Sequence, residues 1–155
     1  MIEIKQGNVR DYCFIAANMR KADRQEIFCQ LPEGTESRIV GVYSHDTSEP
    51  RWRFAAFYNG QPVMAYGFQW LNAATLLAWA WGTNDTRRCI PKVGRHILSL
   101  REEAIEAGAR RIEARSLKTH KTAARWLQKM GASPIADLRQ FGRNGETFVL
   151  WEWLL

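Results

Sequence analysis

The sequence predicts a single α/β domain built on one mixed β-sheet with helices on both faces. Three observations predict it. The chain has 155 residues, enough for one sizeable core without disulfide or metal staples. A run of strands joined by a tight-turn dipeptide occupies its middle, and helices alternate with strands in its second half. Hairpin-joined strands are antiparallel, whereas a helical crossover requires neighbouring parallel strands, so one sheet holding both is mixed.

The elements follow in order. Ile2 and Ile4 alternate with Glu3 and Lys5 as a short half-buried strand, and Asn8 then offers an N-cap for a helix through about Met19. From Arg20 to Leu31, the apolar Ala22, Ile27, Phe28 and Leu31 leave Arg20, Asp23, Arg24 and Glu26 for polar surface, and Pro32 ends the helix. Residues 33–50 are the least readable: Ile39, Val40, Val42 and Tyr43 suit either a short helix or a strand, and His45 to Pro50 reads as loop. Arg53 to Tyr58 and Pro62 to Trp70 are strands joined at Asn59-Gly60, a dipeptide tolerant of positive φ, and Thr75 to Trp81 continues the meander.

After Trp81 the period changes. Val93, Ile97, Leu98, Leu100, Ala104 and Ile105 recur at helical spacing until Gly108 supplies a stop. Arg111 to Leu117 alternates as a strand, Thr119 to Met130 forms an amphipathic helix closed by Gly131, and strands near Ile135 to Phe141 and Thr147 to Trp153 turn at Asn144-Gly145. The helix near Val93 to Ala107 should therefore link Thr75–Trp81 and Arg111–Leu117 as parallel neighbours.

Composition narrows the class. Hydrophobic residues make up 46% and charged residues 25%, which argues against both disorder and a membrane protein. The longest apolar stretch, near Leu76 to Trp81, is too short to span a bilayer, and the first residues lack the apolar core of a secretory signal, so the chain should stay where it is made. Three widely spaced cysteines, Cys13, Cys29 and Cys89, fit reduced thiols in a cytosolic compartment better than a disulfide framework or a zinc site. The net charge of +6 arises wholly in residues 83–155, which carry 14 basic and 8 acidic side chains. That asymmetry suits an anionic partner, whether nucleic acid, an acidic protein surface or cofactor phosphates, or else a solvated basic surface. Of the seven tryptophans, five lie in apolar strands, and Trp52, between Arg51 and Arg53, is the one candidate for stacking on a base.

The element order, together with the segment from Lys121 through Lys129-Met130-Gly131-Ala132, resembles the GNAT N-acetyltransferase superfamily, whose late helix commonly ends in a lysine, an apolar residue and glycine. Within it, Asn18 to Ile27, Leu77 to Thr83 and Arg125-Trp126-Leu127 resemble the small internal-core-protein family of short-tailed phages. That likeness implies a phage-encoded protein in the host cytoplasm or the virion, with a virion or host protein as partner.

The GNAT resemblance implies an acetyl-CoA site. Its glycine-containing phosphate loop corresponds to Cys89-Ile90-Pro91-Lys92-Val93-Gly94, in which Cys89 and Lys92 depart from the pattern and Gly94 matches. A helix beginning near Val93 would offer unpaired N–H groups and its positive dipole end over Lys92 to Arg95, with Arg87, Arg88, Lys92 and Arg95 adding charge and Pro91 suiting the helix start. A basic loop capping a helix in solvent is the alternative. Backbone groups beside Trp81, Gly82 and Thr83 would hold the thioester. His120 falls where many relatives carry an asparagine at the cofactor, although a surface histidine near a helix start also fits.

Two catalytic groups depart from the pattern. The tyrosine that protonates the leaving thiolate in active relatives is replaced by Leu127, and the strands Pro62–Trp70 and Thr75–Trp81 contain no carboxylate base. Asp23 and Glu26, three apart on one helix face that borders the acceptor groove in this fold, are the candidate proton acceptors; the alternative is a solvated face paired with Arg20 and Arg24. Three readings result. The first is a phage GNAT-fold protein of virion morphogenesis or host interaction with weak or lost acetyl transfer. The second is an active N-acetyltransferase using acetyl-CoA. The third is a nucleic-acid-binding accessory protein using the basic second half.

Overall fold

The computed structural model describes residues 1–155. The chain runs β1 (Ile2–Gln6), α1 (Val9–Ala17), α2 (Lys21–Phe28), α3 (Ser37–Thr47), a 3-10 turn (Pro50–Trp52), β2 (Arg53–Tyr58), β3 (Gln61–Asn72) and β4 (Thr75–Gly82). It continues through α4 (Thr86–Ser99), α5 (Arg101–Glu106), β5 (Arg111–Leu117), α6 (Lys121–Lys129), β6 (Ser133–Leu138) and β7 (Phe148–Leu154). The seven strands form one mixed sheet in the order β1-β2-β3-β4-β5-β7-β6. Only β4 and β5 pair in parallel, joined by the α4–α5 crossover, as the sequence predicts.

Local chemistry explains the boundaries. Asn8 caps α1 through a reciprocal capping box: its side chain accepts from the Asp11 N–H and the Asp11 carboxylate accepts from the Asn8 N–H. Asn59 and Gly60 both carry positive φ (49° and 82°), the condition for a two-residue turn that matches strand twist. The last hairpin closes differently, through a longer loop over 139–147 in which Gly145 has φ 87°.

The segment that the sequence leaves unread is α3, and His45 to Thr47, expected as loop, form its last turn. It lies tight on α1: a Cβ at Gly41 would come within 2.8 Å of the Cys13 backbone, so only glycine lets the two helices approach this closely. Tyr12 on α1 is fully buried and donates its hydroxyl to the Phe54 carbonyl at 3.0 Å, tying that layer to the sheet.

Helices cover both faces. On one, α1 to α3 enclose a cluster that includes Ile15, Val40, Ala65 and Trp81. On the other, α4 and α5 enclose a larger core that includes Phe54, Met64, Leu76 and Val93, each apolar side chain of this size contributing roughly 1.5–3 kcal/mol on burial. Trp52 belongs to this core, contrary to the expectation of a stacking platform. It is fully buried, its indole N–H donates to Glu103 at 3.0 Å, and the Arg51 guanidinium covers its ring. No helix is long and apolar enough to cross a membrane.

Candidate functional site: a groove through the splayed sheet

β4 and β5 are paired only at their beginnings, Thr75–Leu77 against Arg111–Glu113. Beyond Leu77 they diverge, and a groove of about 410 Å³ passes between them. Its walls belong to both helical layers: Glu26, Ile39 and Tyr43 from α2 and α3, Arg87, Trp126 and Leu127 from α4 and α6. The sheet is thus open from face to face. Strand alternation fixes what the backbone offers there, because N–H and C=O of one residue point the same way and those of its neighbour point opposite. The Gly82 N–H and C=O point away from β3, into the gap. Ala80, two residues earlier and beyond the last β4–β5 pair, turns its own N–H and C=O to the same side.

At the wide end, side chains of α2 replace the missing strand partner. Asp23 Oδ2 accepts from the Gly82 N–H of β4 at 2.9 Å, and Glu26 Oε2 accepts from the Leu117 N–H of β5 at 2.8 Å. Residues three apart lie on one helix face, so one turn of helix satisfies an orphan donor on each diverging strand. Asp23 carries two further contacts. His120 Nε2 stands 2.9 Å from its Oδ1, and Arg20 Nε stands 2.8 Å from its Oδ2 as an ion pair whose N–H is not aligned as a hydrogen bond. The Ala123 N–H donates to His120 Nδ1, which puts the ring proton on Nε2, facing Asp23.

The polar surface expected for Asp23 and Glu26 is therefore corrected: they are 3% and 8% exposed. The surface histidine expected as the simpler account of His120 is corrected as well, since it is buried and caps α6. Burial pushes the Glu26 carboxyl up to about 7, opposed by the hydrogen bond from Leu117 and the nearby His120. A carboxyl at that value exchanges protons near neutral pH.

No protein-family profile and no curated sequence matches the chain. Solved structures do. Ard1 from Thermoplasma volcanium superposes with a TM-score of 0.76 at 13% identity, covering 99% of this chain and 97% of its own. A GNAT-family acetyltransferase from Bacillus anthracis gives 0.69 at 15% identity, covering 99% and 94%. The yncA protein from Salmonella typhimurium, solved with its cofactor acetyl-CoA, gives 0.74 at 14% identity, covering 99% and 94%. The chain has the GNAT fold.

Within that GNAT fold the phosphate-loop expectation needs correction. The helix begins at Thr86, not near Val93, and Pro91 lies inside it. Lys92, Val93, Gly94 and Arg95 are thus interior helical residues whose amides do not form a free helix start. Val93 is fully buried in the core, and the Lys92 ammonium donates to the Ile2 carbonyl at 2.7 Å, toward β1. Gly94 is buried beside Trp126. The true first turn of α4 brings Arg87 to the groove, whereas Arg88 turns toward β2, where it pairs with Asp85 and stacks on Tyr58.

The backbone expected to hold a thioester beside Trp81, Gly82 and Thr83 is also committed internally. Trp81 lies in the β3 ladder, Gly82 N–H and C=O serve Asp23 and the Arg20 N–H, and the Thr83 N–H donates to the Val63 carbonyl. Ala80 is the β4 residue that remains. Leu127 half-emerges into the groove and brings no proton, as its identity implies. Sequence reasoning named Arg87 only as added charge at the phosphate site and missed Ala80 and Tyr43 as groove residues. The only signal for them is their distance from elements already placed, which a linear pattern does not carry. No group of three or more His, Cys, Asp or Glu side chains is arranged to hold a metal ion.

Proposed function

We propose that the protein is an acetyl-CoA-dependent N-acetyltransferase working in this groove. The observation that carries the reading is Glu26, a buried carboxyl at about 7 standing inside a passage that joins the two faces of the sheet. The cofactor fits the chain's own features in two respects. Arg87 adds positive charge to the groove at the start of α4, where the helix dipole also favours anions, so phosphates would be held on the α4–α6 side. The free N–H and C=O of Ala80 suit a peptide-like arm laid along β4, completing the ladder that β5 abandons.

Bound there, acetyl-CoA supplies the acetyl group, which leaves sulfur for the acceptor nitrogen while one amine proton ends on the thiol. The chain's part is to move that proton and to keep water out. Glu26 takes it from the amine through the carboxylate oxygen that Leu117 does not use, and is then an acid lining the groove, in place of the tyrosine replaced by Leu127. Asp23, committed to Gly82, Arg20 and His120, holds α2 in place and does not itself exchange the proton. The two candidates from sequence thereby divide into a base and a positioning residue.

The virion role rests on three short segments of resemblance alone, whereas acetyl transfer also has the groove behind it, and we adopt the latter. Calorimetric titration tests it. Acetyl-CoA should bind, and Arg87→Glu should weaken binding at least about tenfold through like-charge repulsion of the phosphates. Absence of binding to both CoA and acetyl-CoA would remove the proposal, and salt-sensitive DNA binding in its place would favour the nucleic-acid reading.

A further inference from the structure

Two large apolar side chains stand exposed inside a concavity. Ile39 is 45% and Tyr43 59% exposed, one helical turn apart on α3, and both line the groove. Leu31 and Trp79 line the same side, and Glu26 lies among them. Apolar surface left in water within a concave site is what an apolar ligand would cover.

Charge narrows the ligand further. The groove carries three guanidinium groups, Arg20, Arg87 and Arg115, against two carboxyls. Asp23 is already committed to Arg20 and His120, which leaves Glu26 as the one carboxyl to meet an amine, so a second cationic centre on a ligand would find no free acid. A polycation is disfavoured, whereas a single amine delivered to Glu26 is not.

Resting on the acetyltransferase reading, we propose that the acceptor is a primary monoamine carried on an apolar, aromatic-sized body seated between α3 and β4, with Tyr43 and Ile39 setting specificity. The amine nitrogen forms its bond to the acetyl carbon as the carbon–sulfur bond breaks, and Glu26 receives the proton that nitrogen loses. The body of the amine covers Tyr43 and Ile39.

The test uses the whole protein with two probes, 2-phenylethylamine and spermidine, each followed by calorimetry and by thiol release from acetyl-CoA. The expected result is binding and acetylation of 2-phenylethylamine with kcat/KM at least about tenfold above that for spermidine. Tyr43→Asp should raise the KM for 2-phenylethylamine about tenfold or more with acetyl-CoA affinity unchanged, and Tyr43→Phe should retain the parent KM. Equal or better use of spermidine, or a KM indifferent to Tyr43→Asp, overturns the acceptor class while leaving acetyl transfer standing. Tyr43-dependent binding of 2-phenylethylamine without transfer overturns the reaction and supports the ligand class. Failure of acetyl-CoA to bind overturns both.

Discussion

The two ends of the β4–β5 junction are held by different physics. At the narrow end, Thr75–Leu77 and Arg111–Glu113 are joined by backbone pairing over the fully buried Leu76. At the wide end the same two strands are joined by nothing of their own; Asp23 and Glu26 supply an acceptor to each, Arg20 forms an ion pair with Asp23, and His120 hydrogen-bonds it. Backbone pairing holds a fixed spacing near 4.8 Å, whereas side chains from a third element let the strands stand apart. A sheet can therefore be opened with the end donors Gly82 and Leu117 still satisfied, at the cost of burying charge.

That contrast can be broken most severely at Asp23. Asp23→Ala leaves Gly82, Arg20 and His120 without their common partner, and should destabilise by about 3–5 kcal/mol in urea unfolding. A loss below about 1 kcal/mol would mean that the wide end is not held as described. At the narrow end, Leu76→Ala should cost about 2–5 kcal/mol through a cavity, and this loss should be the same at pH 5 and pH 8.

The pH dependence separates the ends more sharply. The Glu26 carboxyl is raised to about 7 from an ordinary 4.5, so the folded state holds its proton more tightly than the unfolded state. The native protein should therefore lose stability as pH rises from about 4.5 to about 7, by roughly 3 kcal/mol from this group. Glu26→Gln keeps an acceptor for the Leu117 N–H and should flatten that slope, while lowering any acetyl-transfer rate about 10²–10⁴-fold. Urea titrations of both proteins across this window measure it, and parallel slopes would contradict the assignment. The smallest effect belongs to Gly94, which packs beside the groove-lining Trp126. A Cβ there meets only Trp126 Nε1 at 3.5 Å, so Gly94→Ala should stabilise by about 0.5–1 kcal/mol through helix propensity. A large loss would show that close approach of the chain requires this glycine.

What the sequence carries well is local. The strands Arg53–Tyr58 and Arg111–Leu117 lie where alternation puts them, and Gly108 and Gly131 stop their helices with φ of 106° and 88°. It misleads where a local cue has two meanings. Pro91 suits a first helical turn, but in α4 it occupies a later one, and the actual start is marked only by Asp85, whose side chain makes no cap bond. In α3, β-branched residues read equally as strand, and the close contact of Gly41 with α1 is long-range information. The acid cluster is illegible for the same reason. Asp23 and Glu26 look like a solvated face until Gly82 and Leu117, 59 and 91 residues away, come to need acceptors.

The stacked indoles on β4 carry a spectroscopic consequence. Trp79 and Trp81 lie with ring centroids 5.6 Å apart and planes 28° from parallel, Tyr12 meets both edge-on, and both line the groove. Two chromophores this close couple their transition dipoles, so the protein should show a paired positive and negative band in ultraviolet circular dichroism. Its amplitude depends on the angle between the rings. A molecule sliding along the groove would press on Trp79, whose indole N–H is tethered to Ser48 at 2.9 Å, and tilt one ring against the other. A change in that paired band on adding a ligand would report occupancy of the groove without a label.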